Sequence, residues 1–156
     1  MGMDAKLVNP FIDAFTAVMP QIGFPEPKRA KVIVKQKNAV SLGVSVIVGF
    51  TKHIRGNVVY NMTEDTAKLI ASTMMIGMPV DNFDEMAQSA ISELSNMLTA
   101  NTATHIAGLG LEVDISTPSL SIGEDFQIKI SSDSYLAVDM DLGGHVVELD
   151  ISVATN

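Results

Sequence analysis

The stretch FDEMAQSAISELSNMLTANTATHIA, residues 83–107, decides how the rest of the chain is read. Gly108 and Gly110 follow it, so it predicts one long helix that stops where glycine lets a helix stop. At about 100° per residue, Ala87, Ile91, Leu94 and Leu98 fall on one arc, which must face a core. Ser89, Glu93, Asn96 and Ala100 fall on a different arc, spaced four, three and four residues apart. Side chains three and four apart are neighbours on a helix surface, so Glu93 and Asn96 project side by side from an exposed ridge, with Ser89 one turn earlier. Met86 and Met97 flank the ridge, apolar and adaptable, as a docking face for a protein partner requires.

On both sides of this helix the pattern changes to strands. Upstream, Leu7, Val8, Phe11, Ile12, Phe15, Val18 and Met19 recur at helical steps from Asp4 to Met19, with Pro10 at the regular start and Pro20 and Gly23 as its end. Residues 30–37, 43–50 and 54–62 read as strands. The joints Lys37-Asn38 and Thr51-Lys52-His53 read as hairpin connections. Thr63 caps a second helix, which Gly77, Pro79 and Asp81-Asn82 close. Downstream, residues 111–116, 126–130, 135–142 and 145–153 are strand candidates, residues 118–125 are either strand or loop, and Gly143-Gly144 signals a tight hairpin. The order predicts an α+β fold, an antiparallel sheet packed with long helices. Gly56-Asn57-Val58-Val59 echoes Gly144-His145-Val146-Val147, which hints at a duplicated helix-plus-hairpins unit.

Length and charge bound the function. At 156 residues the chain suits one domain, expected over residues 3–156. The absence of Cys removes disulfides, thiolate metal sites and a Cys nucleophile together. A formal charge of −8 repels a phosphate backbone and an anionic membrane surface, so neither nucleic acid nor membrane is an expected partner. The apolar stretch 69–80 is broken by Ser72, Thr73, Gly77 and Pro79 and is too short to span a bilayer. The first six residues lack the basic-then-apolar order of a signal peptide, which leaves the cytoplasm as the expected address.

Glu93 and Asn96 form a chemically economical pair. A carboxylate accepts from a cation, and an amide both accepts from and donates to one water, so the pair can orient water without supplying a nucleophile. The segment Ser89-Ala90-Ile91-Ser92-Glu93-Leu94-Ser95-Asn96, with Pro118 some twenty residues later, resembles the Ser/Asp-x3-Glu-x2-Asn…Pro signature of the CheC/CheX chemotaxis phosphatases. The opening Asn9-Pro10-Phe11-Ile12 and the strand-rich layout are similar too, so the resemblance covers nearly the whole chain. It implies removal of the phosphoryl group from the aspartyl phosphate of a CheY-type response regulator, Asn96 positioning the water and Glu93 engaging the regulator's active-site Lys. Ser89, Met86, Met97 and Ala100 would contact that partner, with Pro118 in support. The resemblance also implies a homodimer paired through strand edges, Mg²⁺ brought by the regulator, and no cofactor of the chain's own. The first helix offers Asp13 and Thr16 at the matching spacing, so one site is expected, not two.

Two rival readings stand beside it: a non-catalytic docking module of the same fold, as in flagellar-switch proteins, and a metal-dependent hydrolase built on His53, His105 and His145. The three His show no ligand-like spacing, and a structural or surface role is expected of each. Asn101 lies on the apolar arc, where it is expected to satisfy a buried backbone group. Asp139 and Asp141 share one face of a strand and read as a solvated pair, and Glu124-Asp125 reads as a turn.

Overall fold

The computed structural model describes residues 5–36, 38–130, 132 and 134–156. Val44, Val46, Val48 and Phe50 are all buried on one face, the period of a strand lying on a core. Among the described residues seven strands form: β1 (Lys28–Gln36), β2 (Ala39–Lys52), β3 (Ile54–Met62), β4 (Val113–Ile115), β5 (Ser119–Ile128), β6 (Ser134–Asp141) and β7 (Val146–Thr155). They make one sheet in the order β1-β6-β7-β3-β2-β4, with β5 also on β2, and every pairing is antiparallel. Helices α1 (Asn9–Ile22), α2 (Glu64–Met74) and α3 (Glu85–Ala107) bury their apolar sides against one face. The fold is α+β, as the element order requires. Among the described residues no helix is long and apolar enough to cross a membrane.

The pairings relate two halves. The β2–β3 hairpin of the first half matches the β6–β7 hairpin of the second. Each half lends its first strand to the other: β1 pairs with β6, and β5 pairs with β2. β3 and β7 pair across the middle, and α1 packs on α3. This is the duplicated helix-plus-hairpins arrangement, with α2 and β4 as additions. The sequence echo marks corresponding hairpins but not corresponding positions. Gly144 lies in the β6–β7 turn, whereas Gly56 lies inside β3 with φ 134°, where a Cβ would stand 1.9 Å from the Ser152 carbonyl oxygen. Gly56 therefore permits the close approach of β3 to β7.

The joint at Lys37-Asn38 is not a hairpin, and Lys37 itself lies outside the described residues. β1 does not pair with β2 but with β6, in a register that sets Val32 beside Val138 and Lys31 beside Asp139, while Lys35 Nζ reaches Glu148 at 3.4 Å. Opposite charges and apolar pairs across strands decide such a register. As the outermost strand, β1 is uncovered at its rim, and Val32 and Val34 are exposed although they share a face with the core. Pro20 does not end α1, which runs to Ile22 before Gly23 takes the cap. In the last turn its missing N–H and its ring disturb only one bond. Residues 119–128 are all strand, and in place of a turn at Glu124-Asp125 β5 carries a bulge just after Glu124, where Asp125 and Phe126 stand opposite Ser41 and Asp125 has φ 63°.

Phe11 of α1 meets Phe50 of β2 edge to face, with ring centroids 5.4 Å apart. A second, smaller cluster of Ala39, Val59, Ile128, Ile130, Tyr135 and Ala137 lies on the far face of the sheet.

Candidate active site on the long helix

Asp84 Oδ1 accepts from the Ala87 N–H at 3.0 Å and starts α3, while Gln88 Nε2 donates to the Phe83 carbonyl and fixes the entering loop. The inward arc is as spaced: Ala87, Ile91, Leu94 and Leu98 are buried. Beside them runs a row of buried hydroxyls that periodicity did not anticipate. Ser95, Thr99 and Thr102 each donate to the carbonyl four residues earlier. With its proton so used, Thr99 Oγ1 is left to accept from the buried Tyr60 hydroxyl of β3 at 3.0 Å. Burial holds the Tyr60 phenol well above its ordinary range, against a smaller opposing effect of that hydrogen bond. The only sequence signal for this anchor is a hydroxyl at each of three consecutive inward turns of one helix.

Ser89, Glu93, Asn96 and Ala100 are exposed on the opposite side of α3. Helical spacing puts the Cβ atoms of Glu93 and Asn96 about 5–6 Å apart. Among the described residues no hydrogen bond or ion pair engages either side chain, so the carboxylate and the amide both face outward with their bonding capacity open. Met86 is 61% exposed and Met97 half-buried, so the ridge has an apolar border. Pro118 is half-buried in the joint between β4 and β5, two strands that α3 touches. A carboxylate beside an amide, with no nucleophile in the group, is suited to holding a cation and a water in a fixed relation.

The other singled-out residues do not join the ridge. His53 Nδ1 accepts from the Glu112 N–H, His105 Nδ1 meets the Asn101 carbonyl, and His145 is exposed in the β6–β7 turn. Among the described residues no three His, Asp or Glu are arranged to hold a metal ion. Asn101 satisfies no described backbone group through its side-chain carbonyl, since Oδ1 is buried without a partner among the described residues. Asp141 Oδ1 accepts from the Gly143 and Gly144 N–H groups and so builds the hairpin turn. Asp139 is half-buried, and burial followed by the Glu148 charge raises its carboxyl above the usual range.

A polar network on the far face of the sheet escaped the sequence reading. Asn61 is fully buried, its Oδ1 accepting from the Leu42 N–H and its Nδ2 donating to the Val40 carbonyl and, at 3.3 Å, to Asp150 Oδ2. Asp150 is fully buried as well, and among the described residues its Oδ1 has no hydrogen-bond partner. Burial first, then the neighbouring Glu148 carboxylate, push its carboxyl up to about 9. Strand alternation assigns Asp150 to the face opposite Leu149 and Ile151, but it cannot tell that this second face is also covered.

Comparison with known proteins follows the ridge. A family model described as "Chemotaxis phosphatase CheX" matches residues 44–141. The chain is 34% identical over 127 residues, 81% of its length and 82% of the relative's, to the CheY-P phosphatase CheX of Thermotoga maritima. Among solved structures it resembles CheX in the CheX–CheY–BeF3–Mg+2 complex from Borrelia burgdorferi, at 27% identity and TM-score 0.77, covering 94% of this chain and 97% of that one. A CheC-like superfamily protein from a Shewanella species shares the fold at TM-score 0.85 and 24% identity, covering 97% of this chain and 99% of its own.

Proposed function

Because the chain belongs to the CheX chemotaxis phosphatase family, we propose that it hydrolyses the aspartyl phosphate of a CheY-type response regulator, with Asn96 and Glu93 as its working pair. The observation that carries this reading is the open pair on α3: a carboxylate and an amide on one exposed ridge, engaged by no other described residue. Asn96 orients a water in line with the phosphorus–oxygen bond to the regulator's Asp. The water oxygen bonds to phosphorus as the phosphorus–oxygen bond to Asp breaks, the Asp leaves as a carboxylate, and both of the water's protons leave with inorganic phosphate as H2PO4−. Glu93 meets the regulator's active-site Lys and holds the two proteins in register. Ser89, Met86, Met97 and Ala100 border the contact, and Pro118 supports the strand joint beneath the helix.

Phosphoryl transfer asks chiefly for positioning and charge, so a side chain that fixes a water supplies what this chemistry lacks in solution. The regulator brings its own Mg²⁺, and the proposal needs no metal or cofactor site in this chain. The relative solved with CheY supports the choice of partner. The outward edge of β1, with Val34 69% exposed, favours a homodimer joined through strand edges. The test is turnover of a phosphorylated CheY-type regulator from the same organism. Asn96→Ala is expected to lower kcat about 100-fold or more, by analogy with removing one positioning donor, while the thermal transition stays in place. Undiminished turnover in that variant would refute the assignment.

A further inference from the structure

Three exposed apolar side chains gather where α2 gives way to α3: Ile76, Met78 and Met86, at 96%, 56% and 61% exposure. Between the loop and the helix lies a cleft of about 280 Å³, walled by Met75, Met78, Val80 and Met86 and bordered by Asp81 and Asp84. Met86 stands seven residues before Glu93, two turns along α3, so it lies on the same stripe. The cleft thus opens at the N-terminal end of the ridge and continues it.

We propose that this cleft is a second docking point for the same regulator, receiving an apolar side chain from the surface around its phosphorylated Asp. The inference rests on the function proposed above and names what sets its affinity. Continuity with the Glu93–Asn96 ridge is the first reason: a protein seated on the ridge covers Met86 and the loop opposite it. Charge is the second. Asp81 and Asp84 border the opening, and among the described residues no Lys or Arg lines it, so the incoming side chain is flanked by basic groups. The thioether walls adapt to such an occupant without a fixed shape. Ile76 adds a third mark, because its φ of 57° is a conformation a β-branched residue seldom adopts, and it is held there with the side chain in solvent. The cleft touches no reacting atom, so it acts on binding and not on the chemical step.

Steady-state turnover of the phosphorylated regulator by wild type, Met78→Glu and Met78→Leu tests this, with Leu109→Glu, an exposed apolar residue just past the other end of α3, as control. Expected are a KM raised about tenfold or more in Met78→Glu with kcat within twofold, recovery in Met78→Leu, and no change in the control. An unchanged KM in Met78→Glu overturns the proposal. Direct titration with the regulator loaded with BeF3 and Mg²⁺ separates the two readings. Tight wild-type binding that Met78→Glu weakens, but with no turnover, removes the phosphatase and keeps the cleft. Absence of wild-type binding overturns the cleft as well.

Discussion

The helices α1 and α3 occupy matching places in the two halves of the sheet and carry different loads. On its outer side α1 presents Asp13, exposed, and Thr16, whose hydroxyl turns back to donate to the Ile12 carbonyl at 2.8 Å. At the same three-residue spacing α3 presents Glu93 and Asn96, with no partner in their own chain among the described residues. The inner sides differ the other way. α1 buries two aromatic rings, Phe11 and Phe15, whereas α3 sets the buried hydroxyls of Ser95, Thr99 and Thr102 beside its apolar Ile91, Leu94 and Leu98. The fold offers the same platform twice, and side-chain choice alone leaves an open carboxylate–amide pair on the outer side of one helix and not of the other.

The largest effect expected from this contrast is on stability. Phe15→Ala should cost about 3–5 kcal/mol in urea unfolding, the usual range for emptying a buried aromatic site. A loss below about 1 kcal/mol would show that α1 is not a principal anchor of the core.

The halves also differ on the far face of the sheet, where Asn61 of β3 uses its amide fully and Asp150 of β7 keeps an unpartnered oxygen. The Asp150 carboxyl is raised to about 9 by burial and then by Glu148, so the folded state holds a proton that the unfolded chain releases near pH 4. The folded state binds more protons throughout that window, and stability therefore falls as pH rises from about 4 to 9. Asp150→Asn keeps an acceptor for Asn61 and offers Glu148 a donor without titrating. It should unfold at a higher temperature than wild type at pH 8, with a much flatter profile between pH 5 and 8. Parallel profiles would mean that another group holds the proton.

The smallest expected effect is the most direct check on the helix contrast. The double substitution Asp13→Ala with Thr16→Val should leave turnover within about twofold, as surface changes away from a site usually do. A tenfold fall would make α1 part of the site and erase the distinction.

Much of this was legible in the chain. The long helix, its two arcs and the exposure of Ser89, Glu93, Asn96 and Ala100 follow from a 3.6-residue period, which fixes direction without knowledge of neighbours. The partner of β1 was not legible. Lys37-Asn38 looks like a hairpin joint locally, and only the pairing of Lys31 with Asp139 and of Val32 with Val138, more than a hundred residues away, decides otherwise. The buried Asp150 was hidden for a related reason: strand alternation predicts sides, while burial of the second side depends on what distant residues such as Ala39, Ile128 and Ile130 bring to it. Within the site, spacing brought Glu93 and Asn96 together, but the Thr99–Tyr60 anchor beneath them needed the sheet in place.

The central claim is that one amide on α3 positions the attacking water. The measurement that addresses it most directly is the single-turnover decay of a phosphorylated CheY-type regulator at saturating protein, with wild type and Asn96→Ala compared at equal, verified occupancy. The account predicts accelerated decay with the wild type and decay at the regulator's own rate with the variant, although both bind. Equal acceleration by the two would contradict it, because the water would then be oriented by another group.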